Sequence, residues 1–394
     1  MRASKAEQAW LTLDVWKIAG SAFFADLGYQ AVLAGFPLFL VLTLHAPVWV
    51  YGLAMALAYG PGALMAWWGG RLGDHGSHRQ IAITGNSVIP LLSLTGLVVN
   101  PIEAIALFAM GWWGRNFRTP SRRVLLTRRV MNDSDRRRAF GFLHALDVGG
   151  GILAGLFVVL LLALHWPLER IFLVTLIPLA LSTLCLWLLQ SEVRPSPSET
   201  NTENSRGRSS RQRVRGVLWA AGLYGFSSYN LGFPILTVAD NSRSASLGVV
   251  SYVVFLGVSA LTGWVCGRWA KGTAMELSGL GYGGAALGSA GLGVTTLVHG
   301  GLWGLLLSVA LLGFALGVIE TLEPTLIARW TDASTTGGGM GALTGMRSLG
   351  LFGANLIMGL LYHLTPSIAY GYATLVAILA ASVLLVSTRT REEH

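Results

Sequence analysis

RNFRTPSRRVLLTRRVMNDSDRRRAF, residues 115–140, carries nine arginines and two aspartates in its first 24 positions. Alone it reads as a grip for phosphates, because clustered arginines neutralise nucleic-acid backbones. Its neighbours argue against that reading. IEAIALFAMGWWG (102–114) precedes it and GFLHALDVGGGILAGLFVVLLLALHW (141–166) follows it, and both are apolar. Basic charge between two segments that avoid water marks a loop at a membrane surface, where Lys and Arg fix the side on which the loop stays.

The whole chain repeats this pattern. Of its 394 residues 53% are hydrophobic and only 12% charged, against about 25% charged in a soluble domain. Apolar segments lie at roughly 15–44, 48–70, 81–99, 101–121, 139–164 and 168–190, and again at roughly 215–240, 246–268, 275–298, 301–328, 340–362 and 366–387. Each is close to the ~20 residues that a helix needs to cross a bilayer. The expected fold is an all-α membrane protein of twelve transmembrane helices in two six-helix bundles, 1–190 and 215–394. Between them, the Ser-, Pro-, Asn- and Arg-rich stretch 191–214 reads as a cytoplasmic linker. Fifty glycines suit membrane helices whose backbones approach closely. The first apolar run, Ile18–Leu44, is too long for a signal-peptide core of about 7–15 residues, so no cleaved signal is expected. Cys185 and Cys266 both lie in apolar segments and read as buried hydrophobes.

With the N-terminus inside, only Arg170 and Arg243 of the 28 Lys plus Arg fall in outer loops. Both termini are therefore expected in the cytoplasm, with the protein multi-pass in a plasma (bacterial inner) membrane. The formal charge of +9 is a topology signal first. It also suggests contact with anionic lipids at the cytoplasmic face, and not with nucleic acid.

The two halves align weakly at an offset near 200. GFLHALDVGGGILA (141–154) lies over GALTGMRSLGLFGA (341–354), matching Gly141, Leu143, Gly150 and Ala154 to Gly341, Leu343, Gly350 and Ala354, with Asp147 opposite Arg347. Gly70-Arg71 corresponds in the same way to Gly267-Arg268. Two parallel repeats of six helices are one of the plans used by secondary transporters.

The loop GGRLGDHGSHRQ (69–80) resembles the helix two–three signature of the major facilitator superfamily, through Gly69 or Gly70, Leu72, Asp74 and Arg79. RNFRTP…RRRAFGFLHALD resembles a largely uncharacterised prokaryotic subgroup of that family, through Arg118, Arg122, Leu125, Arg138-Ala139-Phe140-Gly141 and Ala145-x-Asp147. FFADLGYQAVLAGFPLFL adds Asp26 and Pro37. The sequence departs from the subgroup at Arg123 and Arg128, where acids are usual, and at GRWAKG, where Lys271 replaces an acid. It also lacks the antiporter Gly-Pro pair, since Gly155 is followed by Leu156. The resemblance implies a transporter without naming its cargo, and a central cavity lined by helices one, four, seven and ten. It further implies a cytoplasmic gate in which the acid of the signature meets the start of helix eleven.

An ionisable residue in mid-membrane costs about 2.5–3.5 kcal/mol on insertion scales and so marks a cavity or a partner. Asp26, Arg115, Glu320 and Glu323 form the expected substrate and proton cavity. Glu320 and Glu323 share a helical face beside Pro324, and two neighbouring carboxylates suit proton binding or a cationic solute. The opposing reading ends span ten early and leaves both acids at the rim. Asp26 either contacts solute or proton, or pairs with a span-four arginine. Arg115 either balances a cavity acid or grips an anionic group; Arg118, one turn on, reads as a rim residue. Arg71, Asp74, Arg79, Asp147 and Arg347 form the expected cytoplasmic gate, with Asp147 and Arg347 pairing with loop charges.

His45, His165, His299 and His363 fall near outer helix ends without metal-ligand spacing, and read as interfacial residues. The sequence has no GxxxxGK[ST], HExxH or nucleophile elbow, so neither a cofactor nor an enzyme is expected. Gly337-Gly338-Gly339 reads as a flexible joint before span eleven. The reading that unites these features is a monomeric secondary transporter moving a small organic solute by proton-coupled efflux. A proton-coupled importer is the alternative, and a transport-inactive sensor or scaffold is the alternative of another class.

Overall fold

The structure, a computed structural model, describes residues 10–130, 133–190, 208–330 and 336–389. Among these residues there is no strand, and helices follow one another in twelve segments. In the first half they are α1 (Leu13–Thr43), α2 (Val48–His75), α3 (His78–Leu97), α4 (Pro101–Arg129), α5 (Asp133–Ala163) and α6 (Leu168–Trp187). In the second half α7 has two parts, Arg208–Ser227 and Gly232–Ser242, and α8 is Ala245–Trp269. Segment α9 joins Ala274–Glu276, Leu277–Tyr282 and Gly283–Leu297; α10 (Leu302–Trp330), α11 (Thr336–Leu364) and α12 (Pro366–Arg389) complete the chain. Eight of the twelve, all but α4, α7, α9 and α11, are long and apolar enough to cross a membrane on composition alone. Large apolar side chains such as Leu64, Trp67, Leu153, Leu160, Leu307 and Leu375 face outward, as lipid contact allows and water would not.

Local chemistry sets the helix ends and breaks. Thr12, Asn100 and Ser244 cap α1, α4 and α8 by accepting from Val15, Ile102 and Leu247 backbone N–H groups. Thr273 and Glu276 form a capping box at the start of α9. Backbone N–H groups of Lys271 and Thr273 donate to the Glu276 carboxylate at 3.2 and 3.0 Å. Segments α3, α6 and α7 are interrupted just before Pro90, Pro178 and Pro234, whose rings clash with the carbonyl four residues back. His45, His165 and His299 stop three helices by taking left-handed backbone (φ 54°, 61° and 51°), a position usually given to glycine. That is their structural role, and among the described residues no group of three or more His, Cys, Asp or Glu could hold a metal.

Several boundaries differ from the sequence reading. Segment α4 continues to Arg129 and α5 already begins at Asp133, so most of the arginine stretch is helix and not surface loop. Helix resumes at Arg208, inside the expected linker 191–214; residues 191–207 of that linker lie outside the described residues. Gly337–Gly339 belong to the first turn of α11 and form no joint before it.

The chain divides into two compact units. One takes in the chain up to Leu44 and continues from Leu57 through the first half; the other adds His45–Ala56 to the second half. In the first unit α1 packs on α5 and α6, α3 packs on α4 and α6, and α2 lies along α4, with Gly69 against Phe117. In the second unit α7 packs on α11 and α12, α9 on α10 and α12, and α8 on α10. Every pairing in one recurs in the other six helices on, so the duplication read in the sequence is a duplication of packing. Glycine makes the central crossing possible in each. A Cβ on Gly150 would lie 2.6 Å from the Phe23 carbonyl oxygen, and one on Gly350 2.6 Å from that of Gly222.

Segment α2 belongs to both units, and its middle is built to bend. Pro61, flanked by Gly60 and Gly62, withdraws the hydrogen bond that the Leu57 carbonyl would accept, and the Trp113 indole N–H donates to that carbonyl instead at 2.8 Å. Before the bend, Gly52 lies against Gly359 of α11, with a Cβ on it 2.7 Å from the Gly359 Cα. Tyr51, fully buried, donates to the Asn230 side chain in the break of α7. The Asn230 side chain also caps the Gly232 N–H at 3.1 Å, and the Asn230 N–H donates to Asn355 at 3.1 Å.

Glycine at the crossing is open to test. Gly350→Leu is expected to cost several kcal/mol by overpacking, seen as loss of monodisperse protein and a lower melting temperature in detergent. Gly345→Ala, one turn away where nothing lies within 4 Å, should leave both unchanged. Tyr51→Phe should lower stability by about 0.5–1.5 kcal/mol, because the Asn230 side-chain oxygen loses one of the two hydrogen bonds it accepts.

Candidate functional site

Each unit holds one cluster of charged side chains deep among its helices. In the first, Asp26 on α1 is 4% exposed. Gly150 admits it against α5, where a Cβ on that glycine would lie 3.1 Å from the Asp26 Cβ. Its Oδ1 accepts from the Tyr29 hydroxyl and from Gln30 Nε2 at 3.4 Å, while Oδ2 is buried with no hydrogen-bond partner among the described residues. Arg115, on α4, sits over the rings of Tyr29 and Trp112, at 5.2 and 4.9 Å from their centroids, and donates to Asn116 at 3.1 Å. No carboxylate stands within ion-pair distance of it among the described residues, so Tyr29 alone links it to Asp26.

Two further arginines of α4 lie deeper than the sequence suggested. Arg118 is no rim residue: it is 1% exposed and donates to Asn86 of α3, which in turn donates to Ser182 at 3.1 Å and Thr183 at 2.7 Å on α6. Arg122 is 5% exposed and pairs with Asp147 of α5 at 3.2 Å. The expected loop partner of Asp147 is therefore replaced by a buried guanidinium, because α4 stays helical past Pro120 and carries Arg122 inward.

In the second unit Arg347 of α11 pairs with Glu320 at 2.8 Å and Glu323 at 3.5 Å, both on α10. This corrects the expectation that Arg347 pairs with loop charges. The Gly225–Gly350 crossing draws α11 against α7, and a Cβ on Gly225 would meet the Arg347 carbonyl at 2.8 Å. Glu323 is fully buried and accepts from Tyr282 of α9 at 2.8 Å, with Tyr224 of α7 stacked on Tyr282 at 5.0 Å. The Glu320 side chain is 56% exposed. Segment α10 runs through Pro324 without a break, so neither acid stands at a helix end.

The two clusters share a plan with reversed polarity. An acid on α5, Asp147, meets a base on α4; at the matching place a base on α11, Arg347, meets acids on α10. The repeat put Asp147 opposite Arg347, but helical spacing alone does not reveal that each would find its counter-charge on the helix before it. Among the other residues of the expected gate, Arg71 lies over the Trp67 ring at 4.7 Å, and its carbonyl is hydrogen-bonded to His75 at 2.8 Å. Asp74 lies in the last turn of α2, with its side chain outside the described residues. Arg79 donates to the Trp187 carbonyl at the end of α6. It is joined there by Lys17, which donates to Leu188 at 2.9 Å, and Arg129, which donates to Gln190 at 2.8 Å. Three cations from three helices cap this helix C-terminus, where the helix dipole favours them.

Twelve helices in two copies of one packing plan, with large apolar side chains turned outward, define a multi-pass membrane protein. The family model for the Major Facilitator Superfamily matches residues 18–307, and the chain belongs to that family of transporters. Solved structures of the same fold include the D-xylose–proton symporter (12% identity, TM-score 0.74, covering 97% of each chain). They also include the nucleoside transporter NupG (13%, 0.70, covering 96% of this chain and 98% of that one). A POT family transporter in complex with 5-aminolevulinic acid is a third (12%, 0.75, 94% and 95%). No curated protein sequence matches this chain significantly. The protein is a secondary transporter of a small-molecule substrate, and its family is not one of enzymes.

The ion cluster of the second unit gives a direct prediction. Arg347→Gln leaves two acids without their cation and should cost about 3–5 kcal/mol, as for other broken buried pairs. Adding Glu323→Gln should recover much of that loss, measured as melting temperature or denaturant midpoint in a double-mutant cycle.

Proposed function

We propose that this transporter is driven by protons, with export of a small organic solute as its direction and Glu323 as the principal proton site. One observation carries this reading: two carboxylates share a single guanidinium, and one of them is wholly buried. With both acids ionised the cluster holds one negative charge in excess, and one proton cancels it. Protonated Glu323 no longer holds Arg347, which is then left to the more exposed Glu320. Proton binding thereby alters the grip of α10 on α11. Asp26, with its unmatched Oδ2, is the second proton acceptor, and Asp26, Arg115, Glu320 and Glu323 are the charged walls that the solute meets.

The same proposal keeps Arg71 and Asp74 in a cytoplasmic gate. It has the chain work as a monomer in a bacterial inner membrane, with both termini in the cytoplasm and basic loops against anionic lipids. Uptake is the second reading, favoured by Gly155-Leu156 where an antiporter-type Gly-Pro would stand. The test is proton flux in proteoliposomes over a compound library, with the pH gradient imposed in each direction. Wild type is expected to move protons with its substrate, Glu323→Gln to transport without a pH dependence or not at all, and Asp26→Asn to lose coupling. Equal, pH-independent transport by wild type and both variants would refute the proposal.

A further inference from the structure

We propose that the solute is an organic anion, and that Arg115 of α4 receives its carboxylate or phosphate group. The inference deepens the reading of α1 and α4 as solute-facing helices and does not depend on proton coupling.

The buried charges of the first unit do not balance. The buried Arg118 and Arg122 and the half-buried Arg115 stand against the buried Asp26 and the half-buried Asp147 among the described residues around α4. Asp147 is committed to Arg122 at 3.2 Å. Arg118 donates to the neutral Asn86 and is tied through it to α6, with its Nε unmatched. Arg115 is left with Asn116, the Tyr29 hydroxyl and two aromatic faces. Basic residues kept only for membrane topology would face water or headgroups, whereas Arg118 and Arg122, at 1% and 5% exposure, are enclosed among the helices.

The unmatched atoms specify the missing partner. Arg115 Nε and the Trp112 indole Nε1 are both buried and neither has a hydrogen-bond partner among the described residues, although Trp112 is only 3% exposed. Both are donors. A buried donor without an acceptor costs about 1–3 kcal/mol, so two side by side call for a group rich in acceptors. A guanidinium lying on aromatic faces keeps its edge free for the two parallel hydrogen bonds that a carboxylate or phosphate accepts. The rings of Tyr29, Trp112 and Tyr59, the last 5.0 Å from Trp112, supply an apolar wall for the body of the ligand. Asp26 Oδ2, an unmatched acceptor on α1, is left for a proton or a donor group of the solute.

Purified full-length protein in detergent tests this without a proton gradient. Its melting temperature would be followed with benzoate against benzamide and benzylamine, malonate against malonamide, and phenyl phosphate and inorganic phosphate against phenol. At least one anion is expected to raise the melting temperature where its counterpart does not, and the arm that responds separates carboxylate from phosphate recognition. Arg115→Gln should abolish that shift, and Arg115→Lys should keep part of it. Without ligand, Arg115→Gln should melt no lower than wild type, whereas a merely structural arginine would lower it. The proposal is overturned if no anion stabilises the wild type, if the counterparts do so equally, or if the shift survives in Arg115→Gln. An Arg115-dependent shift that persists in Glu323→Gln, in a protein that moves no protons, would leave this inference standing and remove the proton coupling.

Discussion

An ionised side chain in a bilayer must find a partner inside the protein, and this constraint organises the molecule. Apolar residues face both the bundle interior and the lipid, so hydrophobic burial alone does little to choose which helix faces touch. The choice falls to glycine crossings and to ion pairs. Gly150 and Gly350 bring α5 onto α1 and α11 onto α7 at backbone contact, and the charges of Asp147 and Arg347 ride on the same helices. Each pair then ties its helix to the neighbour before it. An inserted charge that costs about 2.5–3.5 kcal/mol in isolation becomes a positional lock when matched.

The two halves use one scaffold for unlike electrostatics. Where the first unit has an acid on its fifth helix, the second has a base, and the partner helix changes sign with it. The result is an excess of positive charge in the cluster of one unit and of negative charge in that of the other, with packing conserved. A duplicated fold can in this way keep its mechanical symmetry while its two inner surfaces diverge in the groups they attract. Tyrosine serves both: Tyr29 donates to Asp26 in the first unit, and Tyr282 donates to Glu323 in the second.

Much of the architecture was legible in the sequence, because hydrophobic run length and Lys/Arg placement report directly on bilayer crossing. Twelve spans, two halves and the weak repeat followed from them. Depth was less legible. Arg118 and Arg122 read as surface residues because they belong to a run of arginines, yet α4 carries them inward past Pro120, and only the three-dimensional path of the helix shows it. Glu320 and Glu323 looked equivalent at a spacing of three, but the face that meets Arg347 and Tyr282 buries Glu323 and leaves Glu320 half open. Arg79 matches a signature position, while its length lets it reach the end of α6, a contact no spacing rule encodes. The break in α7 was written in Pro234, a signal present but overridden by the continuous apolar run around it.

The bend in α2 bears on how the chain is made. Tyr51 and Asn230 are separated by 179 residues, so the first turns of α2 are synthesised long before α7 and α11 exist to receive them. During translation this segment must wait in the bilayer with its tyrosine and Gly52 uncovered. The first six helices then complete their packing only once the last six have arrived. Cutting the gene at the linker would accordingly not yield two self-sufficient halves: the N-terminal piece would retain a strap made for its missing sister. Packing of the first turns of α2 therefore waits on α7 and α11.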